Sequence, residues 1–462
     1  MTFTYSRLAA RIESTLDSLA ASKFTTIFIF FLAIPVIVFW RPYYFFRSDD
    51  WTALTQMALL PFWQYLHSPD AEQWFPFFHL VYYALIKIAG DRYSLLVLAN
   101  SLLTGVNAFL VYQFLQIHLD RSLSLILSVI YAGATLHTAT ICHTYNLCYI
   151  MSFGFFLGAL LLTARYLQRS SALILAGIGL CCLLALLSHS FAILAIAAVP
   201  LYGLLLGAED KLRKFLALAG VIALVYLVFA CGYFTFAGTV AATSHNRQLL
   251  SGLPGLSYYL YAVVGGILSP NYHLFRTDLF GRILAETLLG AEYKNLGLFL
   301  PGLIIYLAAV GLTMFKGASR EKRLVLWVIL ANLLPFVLVG LARYQISLFQ
   351  AASDRYGVFT LLGTLLLMGT GWRIFLRNLS GHSRASLVAV PLLALIIASQ
   401  VSGIMYRQSS YKKKSLAALA FYRSLASGDN LAPAAAGEKI RIDDYEFTRG
   451  QALAIKRFLQ GH

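Results

Sequence analysis

Charge is what this chain has least of. Asp, Glu, Lys and Arg make up 12% of its 462 residues, and acids number only 20. A soluble globular protein carries roughly 25% charged residues, so that class is excluded. Cysteine is also sparse. Cys142, Cys148, Cys181, Cys182 and Cys231 lie in or beside apolar segments and show no metal-ligand spacing with histidine. They read as small buried residues rather than as a metal site or a disulfide framework. No internal repeat or low-complexity tract is present, and no cleavable signal peptide is evident.

Apolar residues fill the space that charge leaves. They account for 59% of the chain, and mean hydropathy is +0.71. Apolar runs of about 16 to 25 residues recur from end to end, the pattern of membrane helices rather than of alternating barrel strands. The net charge of +16 does not indicate nucleic acid. Its basic residues sit in short loops between apolar runs, as in Arg320-Glu321-Lys322-Arg323 and in 373–384, as cytoplasmic loops do under the positive-inside rule.

The expected fold is therefore an all-α polytopic membrane protein. Candidate spans are 24–41, 76–91, 93–115, 122–139, 147–164, 171–188, 190–206, 215–236, 296–315, 324–342, 356–372 and 385–405. Residues 1–23 place Leu8, Ile12, Leu16 and Leu19 on one stripe. They predict an amphipathic helix on the cytoplasmic surface, leading into an uncleaved first span. The stretch 171–206 would be about 54 Å long as one helix, too long for a ~30 Å hydrocarbon core. Its polar centre, Ser188-His189-Ser190, suggests two half-crossing helices that meet inside the protein. With the basic loops and the N-terminus on one side, 41–75, 237–295, 343–355 and the tail 406–462 fall on the other. An odd number of crossings, eleven or thirteen, satisfies this arrangement.

Three outer segments are long enough to hold chemistry. The first, 41–75, opens with Phe46-Arg47-Ser48-Asp49-Asp50-Trp51. Ionised carboxylates near a bilayer are expensive and are usually kept for a task. Beyond them an apolar stripe of Trp51, Leu54, Ala58, Leu59, Phe62 and Leu66 predicts a surface helix over 51–66. The second, 237–295, is rich in tyrosine and carries His245, Arg247, His273 and Arg276. The third is the tail, with a basic amphipathic stretch at 411–426.

Moving a sugar from a phosphate carrier to a hydroxyl needs a base, a positive charge for the leaving phosphate, and a site that a lipid can reach. Asp49 suits the first role. Arg355, Arg343, Arg247 and Arg276 suit the second, with Asp354-Arg355-Tyr356 best placed at the outer mouth of a span. Plainer readings stand beside these. Ser48-Asp49-Asp50 is also an ordinary helix start, and Asp443-Asp444 repeats the dipeptide in the tail without a role. Arg355 is also suited to an ion pair with Asp354. His189 lies in mid-membrane, where ionisable residues tend to be functional, although a neutral, hydrogen-bonded ring fits too. His79, His137 and His143 read more simply as buried structural histidines.

In order along the chain, these stations resemble the GT-C superfamily of integral membrane glycosyltransferases, closest to its protein O-mannosyltransferase-like branch. Ser48-Asp49-Asp50-Trp51 resembles that branch's aspartate–acid motif. Trp74-Phe75-Pro76 with Tyr82-Tyr83 and Gly90 is similar to its approach to the second span. Asn100 and Asn107 fall where the third span carries polar residues. Leu136-His137-Thr138 resembles its H-P-x-H segment, Leu187-Ser188-His189-Ser190 with Pro200-Leu201-Tyr202 its L-S-K-E segment, and Asp354-Arg355-Tyr356 its late E/D-R-Y. The likeness covers roughly residues 24–360.

The resemblance implies a GT-C-like bundle, a polyprenyl-phosphate sugar donor, inversion at the anomeric carbon and an extracytoplasmic active site. It makes Asp49 the base with Asp50 in support. Arg355 is the first candidate for the donor phosphate, ahead of His189 and Arg247, and Trp51, Tyr356 and His137 complete the expected substrate-binding set. The acceptor would be a glycan, lipid or protein hydroxyl. No cofactor is implied, and no residue is assigned to metal, though paired acids leave a divalent ion open. Phe75 and His189-Ser190 replace charged residues of the branch, so sugar or acceptor would differ from mannose and protein. The short tail points to a bacterial plasma-membrane enzyme. Three rivals remain: a lipid-linked sugar transporter, an oligosaccharyltransferase using the acids to hold metal, and a glycan polymerase or ligase relying on Arg247 or Arg276.

Overall fold

In hydrocarbon every backbone N–H must find its partner within its own segment, so apolar runs of this length become helices. A computed structural model describes residues 24–47, 49–70, 73–207, 210–236, 256–268, 300–343, 354–378, 382–427, 439–442 and 445–460, together with residues 274 and 287. Its helices are α1 (Phe24–Phe39), α2 (Asp49–Leu59), α3 (Phe62–His67), α4 (Pro76–Ala89), α5 (Tyr93–Leu115), α6 (Arg121–Ala132) and α7 (His137–Cys142). After a 3₁₀ turn (Thr144–Asn146) come α8 (Leu147–Gln168), α9 (Ala172–Ser188), α10 (Ala192–Ala195), α11 (Ala198–Leu206) and α12 (Lys211–Phe236). The rest are α13 (Leu256–Val263), α14 (Leu300–Lys316), α15 (Ser319–Arg343), α16 (Asp354–Asn378), α17 (His382–Ser427) and α18 (Arg449–Gln460). An antiparallel hairpin, β1 (Lys439–Ile442) and β2 (Tyr445–Thr448), precedes α18 with Ile442 opposite Tyr445.

Among the described residues four helices are long and apolar enough to cross a membrane: Tyr93–Leu115, Thr144–Gln168, Lys211–Phe236 and Arg355–Asn378. Six shorter apolar helices accompany them. Along α12, Leu212, Leu216, Leu224, Leu227 and Phe234 all point outward. In water such a stripe would drive association, whereas lipid tails solvate it. The protein is a helical membrane protein, with the tail hairpin as the strand exception among the described residues.

Side-chain contacts define two ends of the bundle. At the basic end Arg373 pairs with Glu321 at 2.8 Å and Arg377 with the same carboxylate at 3.3 Å. There too Arg373 donates to the His118 carbonyl (2.7 Å) and Lys214 to that of Leu167 (2.8 Å). At the other end stand Asp49 and Asp50, with Arg355 and His189 near them.

Several expectations are corrected. The apolar run 76–91 is not a span. Helix α4 is about 21 Å long, and both Tyr82 in its middle and Tyr93 just beyond it hydrogen-bond to Asp50, so it stays at the aspartate end. The surface helix over 51–66 is two helices, because Pro61 has no N–H and disfavours helical backbone at Leu60. The stretch 171–206 is divided between α9 and the α10–α11 pair. Their junction at His189 lies at the aspartate end rather than mid-membrane, because α9 runs about 25 Å from Ala172 to Ser188. The last span and the basic stretch at 411–426 are one helix of 46 residues, α17. The N-terminal helix 1–23 and most of 237–295 lie outside the described residues.

Candidate active site

The first turn of α2 separates the two aspartates. Asp50 accepts from the Arg47 N–H at 3.0 Å, the carboxylate half of a capping box. The plain helix-start reading therefore holds for Asp50, but it is only part of the residue's role. Its Oδ1 also accepts from the Tyr82 hydroxyl (3.0 Å), the Thr144 hydroxyl (2.9 Å) and the Tyr145 N–H (2.8 Å), while Oδ2 accepts from the Tyr93 hydroxyl (3.0 Å). Asp50 has no exposed surface. A buried carboxylate is tolerable when its lone pairs are filled, and these bonds tie α2, α4, α5 and the 3₁₀ turn together.

Asp49, one residue earlier and so about 100° around the helix, faces open space. Its side chain is 41% exposed, and Oδ2 lies 3.6 Å from Nη1 of Arg355. The two border a polar cavity of about 190 Å³ whose walls also include Asp70, Gln73, Phe75, Tyr145, Asn146, Cys148, Tyr149, His189 and Tyr356. Arg355 and Tyr356 open α16, where the Tyr356 ring stacks on Phe191 at 5.6 Å and 7°. That stacking, with the Tyr149 ring edge-on at 6.0 Å, fixes the helix start and with it the guanidinium.

His189 closes the cavity between α9 and α10. Its ring lies against Tyr149 (3.9 Å) and parallel to Phe75 (5.9 Å, 9°). Nδ1 accepts the Phe191 N–H at 2.9 Å, so the neutral ring carries its proton on Nε2. Burial, assisted by the charge of Arg355, pulls its pKa down to about 3. His189 is thus an uncharged hydrogen-bond donor.

Of the residues singled out from sequence, Asp49, Arg355, His189 and Tyr356 meet in this cavity. Asp50 stands behind it as a clamp. Trp51 is buried against Phe45 and Phe46, and His137 packs between Phe39 and Tyr131; neither lines the cavity. Arg247 lies outside the described residues. Asn100 and Asn107 pin helices together, donating to carbonyls of Thr140 (3.3 Å) and Ile150 (2.8 Å).

The sequence reading missed Asp70, Gln73, Tyr145, Asn146 and Tyr149. Asp70 accepts from the Tyr145 hydroxyl at 2.6 Å, so Tyr145 bonds to both Asp50 and Asp70. Asp70 lies in the outer loop already marked for chemistry, which was the one available signal. Among the described residues no three His, Cys, Asp or Glu side chains gather as a metal site would require. No family model and no curated protein matches the chain, so the functional reading rests on this geometry and on the motif order.

Proposed function

We propose that the protein is a GT-C-type glycosyltransferase that moves a sugar from a polyprenyl-phosphate donor to a hydroxyl of a glycan, lipid or protein acceptor. One observation carries the reading. A partly exposed carboxylate and a guanidinium share a polar cavity at one end of an apolar bundle.

Asp49 takes the proton of the acceptor hydroxyl as its oxygen bonds to the anomeric carbon. The carbon–oxygen bond to phosphate breaks on the opposite face, and its electron pair leaves with the prenyl phosphate. Arg355 neutralises that departing charge, while His189 offers a neutral N–H beside it. In the resting site Asp49 and Arg355 offset each other. Donor phosphate would claim the guanidinium and free Asp49 to act as base.

The basic residues Arg373, Arg377 and Lys214, gathered at the end of the bundle away from the cavity, support the reading of an extracytoplasmic site in a bacterial plasma membrane.

The test is complementation of a deletion strain with wild type or Asp49→Asn at matched membrane levels, read on surface glycans. Wild type restores the missing glycan and Asp49→Asn does not. Full restoration by Asp49→Asn overturns the reading.

A further inference from the structure

The cavity wall beside the Asp49–Arg355 pair has no part in the step just described, and its polar side chains are tied down by hydrogen bonds. Asp70 and Gln73 face each other across an isolated antiparallel bridge, exchanging backbone bonds of 2.9 and 3.0 Å. Directly opposed residues in such a bridge project their side chains to the same side, and both line the cavity. Each is anchored to a neighbouring element. Gln73 Oε1 accepts from the Ser190 hydroxyl at 2.8 Å, and Asp70 Oδ2 from Tyr145 at 2.6 Å. Asn146, the third member, donates through Nδ2 to the Ala139 carbonyl at 3.1 Å.

The Ala139 carbonyl can only accept and so fixes the Asn146 amide, while Gln73 stands with Oε1 toward the Ser190 hydroxyl. With Oε1 engaged, Gln73 offers its NH₂ as donor. With Nδ2 engaged, Asn146 offers its oxygen as acceptor, and Asp70 contributes carboxylate. Fixed donors and acceptors around a small cavity, with Phe75 as the apolar face, are what adjacent hydroxyls of a sugar ring require.

We infer that Asp70, Gln73 and Asn146 form the subsite that reads the hydroxyls of the transferred sugar and sets which sugar is accepted. The inference rests on the glycosyltransferase reading. It leaves the base and phosphate roles with Asp49 and Arg355.

The test uses the full chain in nanodiscs. Affinity is measured for undecaprenyl phosphate without sugar and for a panel of undecaprenyl-phospho-hexoses and -pentoses. Wild type binds one or more of the glycosylated lipids tighter than the bare lipid. Gln73→Ala and Asn146→Ala each remove about tenfold of that preference, the scale of one hydrogen bond, and leave the bare-lipid affinity within twofold. The near-isosteric Gln73→Glu and Asn146→Asp keep the side-chain volume and change which sugar of the panel is preferred, so an altered ranking is read even where an alanine variant folds poorly. If wild type binds no polyprenyl phosphate, the glycosyltransferase reading falls, and this inference with it. If wild type prefers a glycosylated lipid and all four variants keep its preference and ranking, the subsite is refuted and the reading of Asp49 and Arg355 stands.

Discussion

Arg355 Nη1 lies 3.6 Å from Asp49 Oδ2, which brings the start of α16 against the start of α2 across some 300 residues of chain. The contact is beyond hydrogen-bonding length, so a ligand that draws the two apart breaks no hydrogen bond between them. Asp49→Asn should fold normally and lower turnover about 10²–10⁴-fold, the usual contribution of a general base. Arg355→Gln should weaken donor use in both KM and kcat. Arg355→Lys should recover only part of the loss, since an ammonium keeps the charge without the planar fork. Steady-state kinetics in detergent or nanodiscs distinguish the three.

Asp50 should show the opposite phenotype. Five donors converge on its two oxygens, and Asn would offer one oxygen while turning an NH₂ group toward other donors. Asp50→Asn should therefore cost roughly 3–5 kcal/mol, seen as a lower thermal midpoint and poor membrane yield. Tyr82→Phe and Tyr93→Phe remove one donor each and should cost about 1.5–3 kcal/mol. A fully stable Asp50→Asn protein would contradict the clamp.

His189 yields a pH prediction. Its folded pKa of about 3 lies below the ~6.5 of an unfolded histidine, so only the unfolded chain gains a proton between the two values. Stability from this group is complete above about pH 6.5 and falls as pH drops toward 3, by about 2 kcal/mol at pH 5. Thermal midpoints of wild type should decline over that window more steeply than those of His189→Asn. Equal slopes would show that folding leaves the ring's pKa unchanged.

Part of the site was legible because charge is so rare here. A carboxylate pair after a first span and an arginine at a late helix start stand out where most neighbours are apolar. Asp70 and Gln73 did not stand out, because a bridge between residues three apart leaves no periodic mark in a loop. The α4 run looked like a span, since hydropathy registers Phe77, Leu80 and Ile88 but not that Tyr82 and Tyr93 share one acceptor. The polar break at Ser188-His189-Ser190 was visible. Its depth depends on how far α9 reaches, which composition does not report. Likewise the helical pattern over 51–66 was legible, while the break at Pro61 required weighing one missing N–H.

The tail offers a last prediction, because α18 packs on α2, the helix that carries Asp49. Ala452, Ile455 and Leu459 are buried along one stripe of α18, the spacing of an amphipathic face. Around them the Phe458 ring lies 3.9 Å from the Lys87 ammonium, and the Leu459 carbonyl crowds Gly90, whose φ of +58° suits glycine. α18 thus braces both α2 and the turn after α4. Ile455→Ala should cost about 2 kcal/mol by emptying that contact and should lower kcat through looser placement of Asp49. Arg457→Ala, on the exposed face, should change neither. If Ile455→Ala lowers the thermal midpoint but leaves kcat intact, α18 stabilises the fold without positioning the base.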